Sequence, residues 1–178
     1  MPHFTESHKA ELIAKVVETA RRKVGEEQAS AVADFIRHYY AHVPPEDIHG
    51  KGIDTLFGAA FAHWRLADQR APGTSVVRVY NPQLEEHGWR CEHTVVEVVT
   101  DDMPFLVASV TAELNRHDLT VALVIHPIVR VRRDGAGIPR GVVESKDESD
   151  GVIAESFMHF EVTHQSGDAH DLTSSQME

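Results

Sequence analysis

TVVEVVTDDMPFLVASVTAELNRHDLTVALVIHP, residues 94–127, joins a β-branched run, an acidic corner, a helical stretch and a second apolar run. Val95-Val96 and Val98-Val99 put apolar side chains on both faces of one strand, the pattern of a strand covered from two sides. Residues 103–116 then carry Phe105, Leu106, Val110 and Leu114 at helical spacing. Pro104 suits the first helical turn, where its missing N–H leaves no bond unmade. Residues 119–132 read as a second long strand, interrupted at Pro127, which marks an edge or a bulge.

Working outward, Val76–Tyr80 is a short β-branched strand, and residues 157–163 alternate Met158, Phe160 and Val162 with Phe157, His159, Glu161 and Thr163. That alternation predicts a half-buried strand. Strand, helix, strand and antiparallel return make up most of a ferredoxin-like unit, which also requires a second helix and a closing strand. The tail QSGDAHDLTSSQME offers little apolar surface for either, so the sheet reads as partial. Before Ala71-Pro72-Gly73 the pattern is helical. Leu12, Ile13, Val16, Val17 and Ala20 form one face, ended by Gly25; Val32, Phe35, Ile36 and Tyr39 form a second, ended by Val43-Pro44-Pro45. A third helix, with Asp54 as its expected cap, carries Leu56, Phe57, Ala60, Phe61 and Trp64, and Gly58 weakens it. The fold class is therefore α+β: a helical segment at 1–72, an antiparallel α+β domain with one packed helix at 73–166, and a polar, disordered tail at 167–178.

Net charge −11 argues against binding a phosphate backbone, and no apolar stretch approaches the ~20 residues that span a bilayer. MPHFTESHKAEL lacks the basic start and apolar centre of a signal peptide. The single cysteine, Cys91, cannot form an internal disulfide. These features point to a cytoplasmic protein that binds neither nucleic acid nor membrane.

Candidate chemistry gathers at the corner. Asp101 and Asp102 either cap the helix and complement its dipole, or hold the amino group of a ligand whose carboxylate meets the helix-terminal amides. The possible effector-binding residues are thus Asp101, Asp102, Met103, Pro104 and Phe105. GAGIPRG (135–141) has no helix pattern after it and reads as a turn rather than a dinucleotide loop. Thirteen histidines raise a metal question. His38 and His42 are one helical turn apart, but without an HExxH arrangement or a cysteine pair the histidines read as scattered surface groups. Cys91 reads as an inert thiol, and Glu85-Glu86-His87 as a polar turn anchored by a packed Trp89. No catalytic, cofactor-binding or metal-ligating residue is assigned.

GAAFAHWRLADQRAPG (58–73), VRVYNP (77–82), LEEHGW (84–89), HTVVEVVTDDMPFLVAS (93–109) and LVIHPIVRVRRD (123–134) occur in this order. Together they resemble the N-terminal region of the large bacterial NAD-specific glutamate dehydrogenases, over roughly residues 30–165. The resemblance implies an ACT-like module, a ferredoxin-like domain that often binds amino acids in metabolic enzymes. It implies a parent enzyme that oxidises L-glutamate to 2-oxoglutarate and ammonium with NAD, and whose catalytic lysine and nucleotide-binding fold lie further along a longer chain. The module itself is then non-catalytic and binds no cofactor. Its partners are the remainder of the polypeptide, other copies of the parent enzyme and, on the sensor alternative, an amino-acid effector. Where ligand-binding ACT domains carry glycine after the proline of this corner, this chain has Phe105, which is expected to bury against Leu123 or Ile125.

Overall fold

In the first helix, Thr5 supplies the start that Ser and Thr caps usually supply: its hydroxyl accepts from the His8 N–H, and the His8 ring accepts from the Thr5 N–H. The computed structural model, which describes residues 5–144 and 151–163, builds α1 (Glu6–Lys23) from this cap. Glu6 at its start and Arg21, Arg22 and Lys23 at its end complement the helix dipole. α2 (Glu26–Ala41) follows after Gly25. Its last carbonyls are capped from α1, because the buried Lys9 ammonium donates to the Ala41 and Val43 carbonyls at 2.9 and 2.6 Å. A short α3 (Pro45–Ile48) leads to α4 (Ile53–Ala67). Here the expected cap is corrected. Gly52 occupies the cap position, and Asp54, two residues on in the first turn, pairs with Lys23 at 2.8 Å.

Among the described residues six strands form one antiparallel sheet. They are β1 (Val76–Tyr80), β2 (Thr94–Asp101), β3 (Val121–Ile125), β4 (Ile128–Arg133), β5 (Pro139–Val142) and β6 (Val152–Val162). A short α5 (Leu84–His87) lies between β1 and β2, and α6 (Leu106–Arg116) between β2 and β3. β2 and β3 flank β6, giving the split strand–helix–strand unit expected from residues 94–132. The sheet was read as lacking a closing strand, but the edge of β2 is taken by β1, which comes from before the unit rather than after it. Pro127 divides the expected long strand in two. β3 and β4 pair with successive stretches of β6, Ile125 opposite His159 and Ile128 opposite Ser156. β5, drawn from the second half of GAGIPRG, extends β4; the Gly135–Gly137 portion is a turn in which Asp134 accepts from the Ala136 and Ile138 amides.

β6 is the principal correction to the sequence reading. It is buried on both faces from Glu155 to Val162, because it is the central strand with helices above and below. Met158, Phe160 and Val162 pack with Val96, Val98 and Leu114 beneath α6. Phe157 joins Phe35, Trp64 and the rest of the helical layer on the other side. Toward that layer also point Val99, Leu123 and Ile125. Gly58 sits against Trp89, where an added Cβ would come within 2.5 Å of the indole, so this helix accepts a glycine for a close approach. The tail at 167–178 lies outside the described residues.

Candidate functional site

The helix-facing side of the sheet alternates apolar residues with ionisable ones. Arg78 on β1 stands opposite Glu97 on β2, and Glu97 opposite His159 on β6. The Arg78 guanidinium donates to one Glu97 oxygen at 3.0 and 2.5 Å, and the Tyr80 hydroxyl donates to the other at 3.2 Å. His159, fully buried, lies between two carboxylates, with Nδ1 3.6 Å from Glu97 and Nε2 3.7 Å from Glu161. Lys51, from the segment before α4, donates to both Glu161 oxygens at 2.8 and 3.1 Å. The charges alternate along the row: Arg78, Glu97, His159, Glu161, Lys51.

Burial alone pushes the His159 pKa down, but the flanking Glu161 and Glu97 carboxylates outweigh it and raise the value. Burial pushes the two carboxyls up, yet His159 and Arg78 hold Glu97 at about 2, and His159 and Lys51 hold Glu161 at about 2. His63 behaves oppositely. Burial lowers it to about 4, and its ring is used as a neutral group, with Nδ1 3.0 Å from the Tyr39 hydroxyl and Nε2 3.1 Å from the Val98 carbonyl.

A second cluster lies at the other end of β6. Arg133 makes a two-pronged contact with Glu155 at 2.6 and 2.8 Å and also donates to the Ala67 and Gly137 carbonyls. Arg70, its side chain fully buried, lies 3.1 Å from Glu155 and pairs with Asp101. Planar guanidinium forks suit such multiple bonds better than an ammonium would. Together the two clusters join strands far apart in sequence to the helical layer.

The predicted effector residues separate at this point. Asp101 is held by Arg70, pointing to the helical side. Asp102, Met103, Pro104 and Phe105 line a groove of about 360 Å³ with the first turn of α6, His126 and Ile128. α6 begins at Leu106, later than expected, because Phe105 adopts a left-handed conformation at φ 69° and acts as the cap. Its ring is not buried against Leu123 or Ile125; it is 81% exposed, since those residues face the opposite side of the sheet from α6. The reading of histidines as scattered surface groups is corrected by His63 and His159, both fully buried. His38 and His42 are exposed. Trp89 is packed, as expected, at 1% exposure, and burial pushes the Cys91 thiol up.

A family model for the glutamate dehydrogenase ACT1 domain matches residues 35–175, which hold all six strands and about half the helical layer. The chain belongs to the glutamate dehydrogenase ACT1 domain family. It is 34% identical over 164 residues to the NAD-specific glutamate dehydrogenase of Halomonas elongata, covering 92% of this chain and 10% of that protein. It is 30% identical over 162 residues to the NAD-specific glutamate dehydrogenase of Pseudomonas aeruginosa, covering 91% and 10%. The ACT1 chain therefore spans about a tenth of the length of these relatives. No solved structure matches it. Among the described residues no helix is long and apolar enough to cross a membrane.

The sequence reading missed the paired side chains of this ACT1 domain: Lys51, Arg70, Arg78, Glu97, Arg133, Glu155, His159 and Glu161. One signal was present. Glu97 interrupts an otherwise unbroken valine run, and a carboxylate in a strand covered on both faces requires a buried partner.

Proposed function

We propose that this chain is a non-catalytic regulatory or oligomer-organising domain of an NAD-dependent glutamate dehydrogenase. The parent reaction is L-glutamate, NAD and water to 2-oxoglutarate, ammonium and NADH, in the cytoplasm. NAD and glutamate are handled by the remainder of the polypeptide, and further copies of the enzyme are partners. The observation that carries this reading is the coverage: nearly all of this chain aligns with a tenth of two NAD-specific glutamate dehydrogenases. The side-chain chemistry agrees, because Glu97, Glu155 and His159 are fully buried and engaged with neighbouring charges rather than presented to a cleft. The exposed Met103, Phe105 and Ile128 offer an apolar surface for the rest of the enzyme.

The test compares the parent enzyme with a form lacking this region. Deletion is expected to alter assembly or effector response while each remaining active site still binds NAD. For the 178-residue chain alone, NADH formation from glutamate and NAD is expected to equal a buffer blank. Turnover that vanishes when a residue of this chain is changed would overturn the proposal.

A second reading, an amino-acid sensor, is favoured by the groove that gathers Asp102, Met103, Pro104 and Phe105. It expects a thermal shift with one amino acid that Asp102→Asn removes. The same shift in wild type and variant would count against it.

A further inference from the structure

Cys91 and His93 stand in the loop before β2, and Glu161 at the end of β6 comes up beside them. The thiol sulfur, a His93 ring nitrogen and a Glu161 oxygen all lie within 4.8 Å of one another. His93 Nδ1 is 3.7 Å from Glu161. We propose that these three residues, with His159 behind Glu161, form a binding site for a zinc-class divalent cation.

The donor set argues for this class. One sulfur, imidazole nitrogen and a carboxylate oxygen suit a borderline-soft ion such as zinc better than magnesium or calcium, which take oxygen. Four-coordinate zinc, with bonds of about 2.0–2.3 Å, needs ligand atoms roughly 3.3–3.7 Å apart, so shifts of about 1 Å close the site. His159 stands behind the carboxylate of this set. It is fully buried, neither ring nitrogen makes a hydrogen bond, and Nε2 lies 3.7 Å from the same Glu161. Charged between its two carboxylates, His159 supplies no ligand atom and instead holds the Glu161 carboxylate in place from behind. The His93 N–H already donates to the Cys91 sulfur at 3.4 Å, an orientation that also supports a thiolate. Access is open, since Cys91 is half-buried and the His93 side chain 38% exposed.

His63, Glu97 and His159 also cluster. That group is a poorer site. Both His63 nitrogens are engaged by Tyr39 and Val98, and Glu97 is held by Arg78 and Tyr80, so an ion there displaces four partners. At the proposed site the competitor is the Lys51 ammonium, whose side chain is 26% exposed and can return to water. Binding replaces the Cys91 S–H bond by a metal–sulfur bond and releases the proton to solvent.

The test titrates the reduced 178-residue chain with cobalt(II), using a non-thiol reductant. One equivalent should bind, with a near-ultraviolet thiolate-to-cobalt band and visible absorption of four-coordinate intensity, and zinc should displace it. Cys91→Ser should remove the band and weaken zinc at least about tenfold, and His93→Ala should weaken it similarly; second-shell losses alone reach about 10–100-fold. Lys51→Met, which removes the competing cation, should tighten zinc binding. Circular dichroism checks that each variant is folded. Cobalt binding without the thiolate band, zinc affinity unchanged in Cys91→Ser, or affinity lost in His38→Ala instead would each overturn the proposal.

Discussion

On the face toward α6, β2 and β6 present an apolar centre of Val96, Val98, Met158, Phe160 and Val162, with only the uncharged Thr94, Thr100 and Ser156 toward its ends. On the face toward α1–α4 the alternate positions of the same two strands present Glu97, Asp101, Glu155, His159 and Glu161 beside Val95, Val99 and Phe157. Both faces exclude water, by different means. The first is held by area and shape, which tolerate volume-conserving exchange. The second is held by charges that must meet named partners, so it fixes which segments stand together. A slip of β6 by one residue would carry Glu155, His159 and Glu161 under α6, where the described residues offer valine and leucine.

The widest separation between the faces is expected at Glu155. Glu155→Gln leaves Arg133, and the fully buried Arg70 side chain, without the carboxylate they share. Breaking a buried pair from one side costs about 3–5 kcal/mol. Met158→Leu, on the apolar face, should cost less than about 1.5 kcal/mol. Denaturant melts of the two variants measure both, and equal losses would erase the distinction.

Acid and base titration sharpens the same contrast, because the fully buried groups among those that titrate, His63, Glu97 and His159, face the helical layer together with Glu161. His63 has a folded pKa lowered to about 4, so between pH 6.5 and 4 the unfolded chain takes up a proton that the folded chain refuses. Stability therefore falls with acidification, at up to about 1.4 kcal/mol per pH unit. Glu97 and Glu161, each near 2, add a further loss as pH falls below 4.5. His159 acts from the other side. Its raised pKa gives a contribution fully present below 6.5 and lost as pH rises through the folded value. Maximum stability should thus lie near pH 6.5, and His63→Gln should flatten the limb between 6.5 and 4. Melting temperatures across this range check it; an unchanged limb in the variant would assign the proton to another group.

Gly58 tests the packing of the helical layer itself. Gly58→Ala gains roughly 1 kcal/mol of helix propensity, yet places a carbon 2.5 Å from the Trp89 side chain, close to its backbone. Overpacking of this kind costs about 1–3 kcal/mol, so a net loss is expected. A more stable variant would show that the indole can withdraw.

The elements that were legible in the sequence are those whose burial comes from apolar pattern. β2 declared itself through Val95-Val96 and Val98-Val99, and α6 through Leu106, Val110 and Leu114. β6 was legible as a half-buried strand at 157–163, but the burial of its second face was not, because His159 and Glu161 beside Phe157 look like a solvent face. What buries it comes from distant segments: Arg78, Lys51, Arg70 and Arg133, reaching across loops that no local periodicity describes. The candidate site was half legible for the same reason. The acidic corner was visible, but Asp101's commitment to Arg70, and the meeting of Cys91, His93 and Glu161, depend on tertiary contact.

The smallest expected effect lies at Phe105, where sequence logic and backbone geometry oppose each other. A phenylalanine at the start of an apolar helix reads as a core residue, whose loss would cost about 3–5 kcal/mol. The ring is instead 81% exposed, so Phe105→Ala should change stability by less than about 0.5 kcal/mol. Glycine differs from alanine here because of φ 69°, a left-handed conformation costing a side-chain-bearing residue about 1–2 kcal/mol. Against that stands the greater entropy glycine loses on folding, about 0.5–1 kcal/mol. Phe105→Gly should therefore be neutral to slightly stabilising, the reverse of a core deletion. Parallel melts of the alanine and glycine variants decide the matter, since glycine above alanine marks the backbone as the governing term. A loss of several kcal/mol in both would return the ring to the core. With glycine in place the groove beside Asp102 also widens. An amino acid that shifts the melting of Phe105→Gly but not of the parent chain would show that this ring keeps an effector site closed.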